Sequence, residues 1–144
     1  MKPKTLTTLY WIFTIIFALL IFLDGIGGVT RQQAGIDALK HLGYPIYFLT
    51  IAGVARLLAV VALLQTKFKV IKEWAFAGIA INFVGAFASR AFVGDSFGLV
   101  IFPLIMLGFL FIPYTLWKKV EQVKQLGEKT NIGYAADPQT AKSY

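Results

Sequence analysis

The chain reads as an all-α membrane protein, a bundle of four transmembrane helices with a short interfacial helix in the first external loop. Three observations predict this. Of 144 residues, 58% are hydrophobic and only 15% charged, with a mean hydropathy of +0.71, whereas a soluble domain of this size covers itself with more charge. The apolar residues gather into four runs, each of about the 20 residues that cross roughly 30 Å of hydrocarbon. The Lys residues cluster beside those runs, where basic residues act as topology signals.

The same figures exclude disorder, and they turn the net charge of +7 away from nucleic acid, which is not an expected partner. The chain has no Cys and one His. Disulfides, thiolate metal sites and thiol redox chemistry are therefore excluded within one chain, and no metal is expected. The expected partner of the surface is the lipid bilayer.

The first span is expected over about residues 7–29, interrupted by Asp24 near its end, and the second over about 45–65, with Arg56 at its middle. The third, about 74–93, is rich in small residues and carries Asn82 and Arg90. The fourth, about 97–117, contains Pro103 and Pro113, which a membrane helix tolerates because neighbouring groups satisfy the freed carbonyls. The first run is read as a retained span rather than a cleaved signal, since it is longer than a usual signal core and no A-x-A-like site follows it. In the loop from Thr30 to Tyr44, Thr30 and Gln33 have capping-box spacing, Ile36, Leu39 and Leu42 recur on one helical face, and Gly43 with Pro45 forms a stop. Residues 1–126 make up the transmembrane domain on this reading, and 127–144 a disordered cytoplasmic tail.

In a four-span arrangement Lys2, Lys4, Lys67, Lys69, Lys72, Lys118, Lys119, Lys124, Lys129 and Lys142 fall on one side, against Arg31 and Lys40, with Arg90 near the edge, on the other. Positive flanks resist translocation, so both termini are expected in the cytoplasm.

Helices in lipid meet where small residues let backbones approach. Ala52, Ala55, Ala59 and Ala62 form one stripe of the second span, and Ala75, Gly78, Asn82, Gly85 and Ser89 one stripe of the third. The two are expected to zip antiparallel, with Ala59 opposite Gly78, Ala55 opposite Asn82 and Ala52 opposite Gly85. That register sets Arg56 level with Asn82. An Arg at mid-membrane costs about 2.5–3.5 kcal/mol on the insertion scale and must face protein or water. Asp24, Arg56, Asn82 and Arg90 are therefore the expected polar network, with Glu73 and Asp95 at its edges. Either the charges pair only to fix which helices meet, or the cation also binds an anionic or carbonyl head group while aromatic side chains hold an apolar tail. His41 reads as a loop residue without ligand companions, and Glu73-Trp74 as an interfacial anchor.

The run His41-Leu42-Gly43-Tyr44-Pro45, then Gly53-x-x-Arg56-Leu57-Leu58, Lys72-Glu73-Trp74-Ala75-x-Ala77-Gly78, Gly85-Ala86 and Gly94-Asp95 resembles the DoxX-like family of small four-helix membrane proteins in order and spacing. Two positions depart from it: Arg56 stands where Lys is common, and Arg90 follows Ser89 where His is frequent. The wider group is named for a small subunit of a thiosulfate:quinone oxidoreductase, and other relatives resemble assembly factors or accessory subunits. The resemblance implies a multi-pass protein of the bacterial inner membrane. It also implies an accessory subunit without catalysis of its own, with a quinone or lipid as the candidate ligand at Arg56 and an oxidoreductase subunit or a second copy as the candidate protein partner. The alternative is an assembly or scaffold protein whose buried charges are purely structural. No nucleophile–base pair, metal-ligand cluster or phosphate loop points to an enzyme acting alone.

Overall fold

The computed structural model describes residues 2–136 and is helical throughout: α1 (Pro3–Val29), α2 (Gln33–Leu42), α3 (Tyr47–Leu64), α4 (Lys69–Val93) and α5 (Phe97–Ala136). All but α2 are long and apolar enough to cross a membrane. The outward faces confirm lipid as their solvent. Phe92 is 92% exposed and Ile81 72%, an arrangement that water would penalise at about 25 cal/mol for each Å² of apolar surface.

Short local signals set the helix ends. Pro3 opens α1, where its missing N–H costs nothing. Gln65 closes the α3–α4 turn by donating from Nε2 to the carbonyls of Ala62 and Phe68 and accepting from the Phe68 N–H. Gly43 and Gly94 end α2 and α4 in the left-handed region, at φ 81° and 80°.

The capping box expected at Thr30 and Gln33 does not form. The Thr30 hydroxyl donates backward to the Ile26 carbonyl, 2.8 Å away, at the end of α1, and Gln33 donates to Asp37. α2 therefore begins without a side-chain cap. At the other end of the chain α5 continues well past the membrane length. Residues 127–136, expected to be disordered, extend the helix, because Leu126, Glu128, Lys129 and their neighbours are adequate helix formers interrupted only by single glycines. The rest of the expected tail, 137–144, lies outside the described residues.

The four spans enclose a square in which α1 touches α3 and α5, and α4 touches α5 and α3. Its core runs from Leu6 and Tyr10 through Phe17 and Ile21 on α1 to Leu63, Phe76, Leu110 and Trp117. Phe76 stacks on Trp117 and meets Tyr114 edge-on. The most intimate contact joins α1 to α3. There Gly25, Gly28 and Gly53 let two backbones touch: a Cβ on Gly28 would lie 2.9 Å from the Gly53 Cα.

The seam expected between the small-residue stripes of α3 and α4 is instead the loosest of the four. The stripes do face each other, but a Cβ on Gly78 or Gly85 would meet nothing within 4 Å. The Arg56 side chain lies in the seam, where its Nη2 reaches Asn82 Oδ1 at 3.5 Å.

Candidate functional site

The α1–α3 crossing positions the polar centre. Gly53 presses against α1 and Leu57 packs over Gly25, so Arg56, one turn on from Gly53, emerges at the edge of that contact. Asp24, next to Gly25 on α1, comes within reach: Arg56 Nε lies 2.9 Å from Asp24 Oδ2. On the other side Arg56 Nη2 donates to Asn82 Oδ1 of α4. Arg56 is mostly covered, with 22% of its side chain exposed.

Beside it lies a cleft of about 270 Å³, formed by Ala52, Ala55 and Ala59 of α3, Trp74, Ala75 and Gly78 of α4, and Ile21 of α1 at its floor. The small side chains that would have closed the seam thus line an open cleft between two spans. A guanidinium carries five N–H donors in a rigid plane. Asp24 and Asn82 engage two of its nitrogens, which leaves donors facing the cleft for a carbonyl or phosphoryl oxygen, while the alanine walls suit an apolar tail.

Arg90 does not join this centre. The left-handed turn at Gly94 brings Asp95 back onto α4, where Arg90 Nη1 lies 3.0 Å from Asp95 Oδ2, and His41 of α2 engages the other carboxylate oxygen. The hydrogen bond from His41, reinforced by Arg90, holds the Asp95 carboxyl below the usual carboxylate range. Tyr44 and Ser89 are joined at 2.7 Å alongside, so α2 is tied to the α4–α5 turn. The expected network is therefore two clusters, Asp24–Arg56–Asn82 and His41–Arg90–Asp95. Glu73 belongs to neither, since it pairs with Lys118 of α5.

Lys72 is the residue that sequence reasoning missed. Treated as one more topology signal, it is 3% exposed, and its ammonium donates to Tyr10 Oη at 2.6 Å. The signal was present in the two tryptophans, Trp11 and Trp117, placed at the same end of their spans as Lys72.

A profile of the DoxX-like family matches residues 12–112, which takes in both polar clusters, the second and third spans and most of the first. The chain belongs to the DoxX-like family. No curated protein and no solved structure is significantly similar to it. The matched stretch of this DoxX-like protein contains Asp24, Arg56 and Asn82, and it stops before the polar extension of α5.

Proposed function

We propose that this DoxX-like protein is a non-catalytic membrane subunit that holds a quinone or a lipid head group at Arg56 and presents it to an oxidoreductase partner. The reading is supported above all by one observation: a guanidinium with unused donors faces an apolar cleft of about 270 Å³ between two spans. Arg56 and Asn82 would donate to the carbonyl or head-group oxygen, and the alanine face of α3 would take the tail. A bound quinone would supply two-electron redox chemistry. The chain's own residues would bind it, orient it and balance its charge. Residence in the bacterial inner membrane, with both termini in the cytoplasm and α2 in the outer interface, belongs to the same proposal.

The Arg56–Asp24 ion pair favours one second reading, a scaffold in which the charges only fix helix pairing. The two separate in nanodiscs made by gentle extraction, with everything retained in stoichiometric amount identified by mass spectrometry. On the first reading a quinone or discrete lipid accompanies the wild type and is lost from Arg56→Ala, which still inserts. Retention of a protein alone, or of nothing, would overturn the first reading in favour of the scaffold.

A further inference from the structure

At the opposite end of the bundle from α2, the Lys72 side chain runs from the first turn of α4 into a box of aromatic rings. Its Nζ lies 5.2 Å from the ring centre of Tyr10, 5.8 Å from that of Trp11 and 5.6 Å from that of Trp117. Among the described residues no carboxylate comes within ion-pairing distance of it. An ammonium has three protons to donate, and Tyr10 accepts one. Aromatic faces attract a cation but do not neutralise it, so this is a buried positive charge with no carboxylate in direct contact.

A small cavity of about 40 Å³ adjoins the box, room for roughly three waters or one small oxyanion. Lys69, Lys124, Thr7 and Thr66 also line it. Glu121 is the one carboxylate there. It is engaged by Lys69 and lies 3.9 Å from Lys124, so three ammonium groups share one acid.

We propose that this cavity is an anion site that takes a phosphate group. The ammonium groups of Lys72, Lys69 and Lys124 around one cavity suit an oxyanion. The position between tryptophans at the ends of spans is the depth at which lipid phosphates lie. The phosphate comes either from a phospholipid or from free inorganic phosphate. The site shares no lining residue with the Arg56 cleft, so it stands or falls separately from the proposed function.

The test uses the full chain carrying Trp74→Phe, so that Trp11 and Trp117 alone report by fluorescence. Inorganic phosphate is titrated in phospholipid-free detergent. In parallel, native mass spectrometry reads the lipid retained from nanodiscs of phosphatidylcholine with and without phosphatidylglycerol. Saturable binding of phosphate or stoichiometric retention of a phospholipid is expected, weakened about tenfold or more by Lys72→Gln. Lipid retention without a response to free phosphate identifies the lipid as the source, and a response to free phosphate shows that the phosphate group suffices. No binding of either ligand by the wild type, or undiminished binding by Lys72→Gln, would overturn the proposal. Should Lys72→Gln fail to fold, Lys69→Gln with Lys124→Gln must weaken binding instead, and undiminished binding in that variant overturns it equally.

Discussion

Gly53 of α3 lies so close to α1 that a Cβ on it would stand 2.7 Å from the Val29 backbone nitrogen and 2.8 Å from the Gly25 carbonyl oxygen. No real Cβ sits at such distances from backbone, so the two helices would have to part. Gly53→Ala is expected to destabilise the bundle by about 1–3 kcal/mol, the cost of overpacking a fitted contact, read as a lower unfolding temperature in detergent. An unchanged transition would show that the crossing is looser than the structure has it.

Gly78 provides the contrast. Gly78 lines the cleft, and an added Cβ there meets nothing within 4 Å. Gly78→Leu is therefore expected to change stability by no more than about 0.5 kcal/mol while displacing whatever the cleft retains in nanodiscs. A loss of stability as large as that of Gly53→Ala would restore the closed seam.

The pairing of Asp24 with Arg56 is open to a double-mutant cycle. Asp24→Ala leaves a guanidinium without its acid in a low-dielectric setting, and Arg56→Ala removes the need for that acid. The double variant is expected to be more stable than the sum of the single changes predicts, with a coupling of about 0.5–3 kcal/mol. Strict additivity in thermal unfolding would mean that the two side chains do not interact.

Asp95 makes one limb of the acid stability profile predictable. Its carboxyl is held below the ordinary range in the folded protein, first by the His41 hydrogen bond and then by Arg90. A depressed carboxylate stabilises the fold fully above its unfolded value, and that contribution disappears as pH falls through the lowered folded value. Asp95→Asn is expected to flatten this part of the profile and to loosen α2, seen as faster amide exchange in residues 33–42. A profile identical to that of the wild type would remove Asp95 from the account.

Topology is testable because the chain has no thiol of its own. Lys67, in the α3–α4 turn, and Asp37, on α2, are both exposed and lie at opposite ends of the bundle. With cytoplasmic termini, a Cys replacing Asp37 is expected to react with a membrane-impermeant reagent in intact cells and one replacing Lys67 to resist it. The reverse pattern would invert the protein in the membrane.

The spans were legible because about twenty apolar residues in a row have few other uses. The level of Arg56 with Asn82 was legible too, since helical periodicity sets depth. Lateral spacing was not. A stripe of Ala and Gly permits close approach without requiring it, and the α1–α3 contact took the intimate role through only Gly25, Gly28 and Gly53. Arg90 was misassigned for a similar reason. Depth placed it near Asp24, but the turn at Gly94 gave it Asp95, five residues away, and chain reversal is invisible to a count of residues per turn. Lys72 was hidden because snorkelling to the surface is the usual fate of a Lys at a span's end, and only packing against Tyr10, Trp11 and Trp117 turned it inward.

The open seam between α3 and α4 also decides which concentration counts for any occupant of the Arg56 cleft. A molecule that reaches it sideways from the acyl chains need not cross an aqueous mouth, so occupancy follows its mole fraction among the lipids rather than its molarity in the surrounding buffer. A scarce, strongly lipophilic compound can then fill the cleft through modest contacts, and it stays there when the surrounding lipid is carried along, as in a nanodisc cut gently from the membrane.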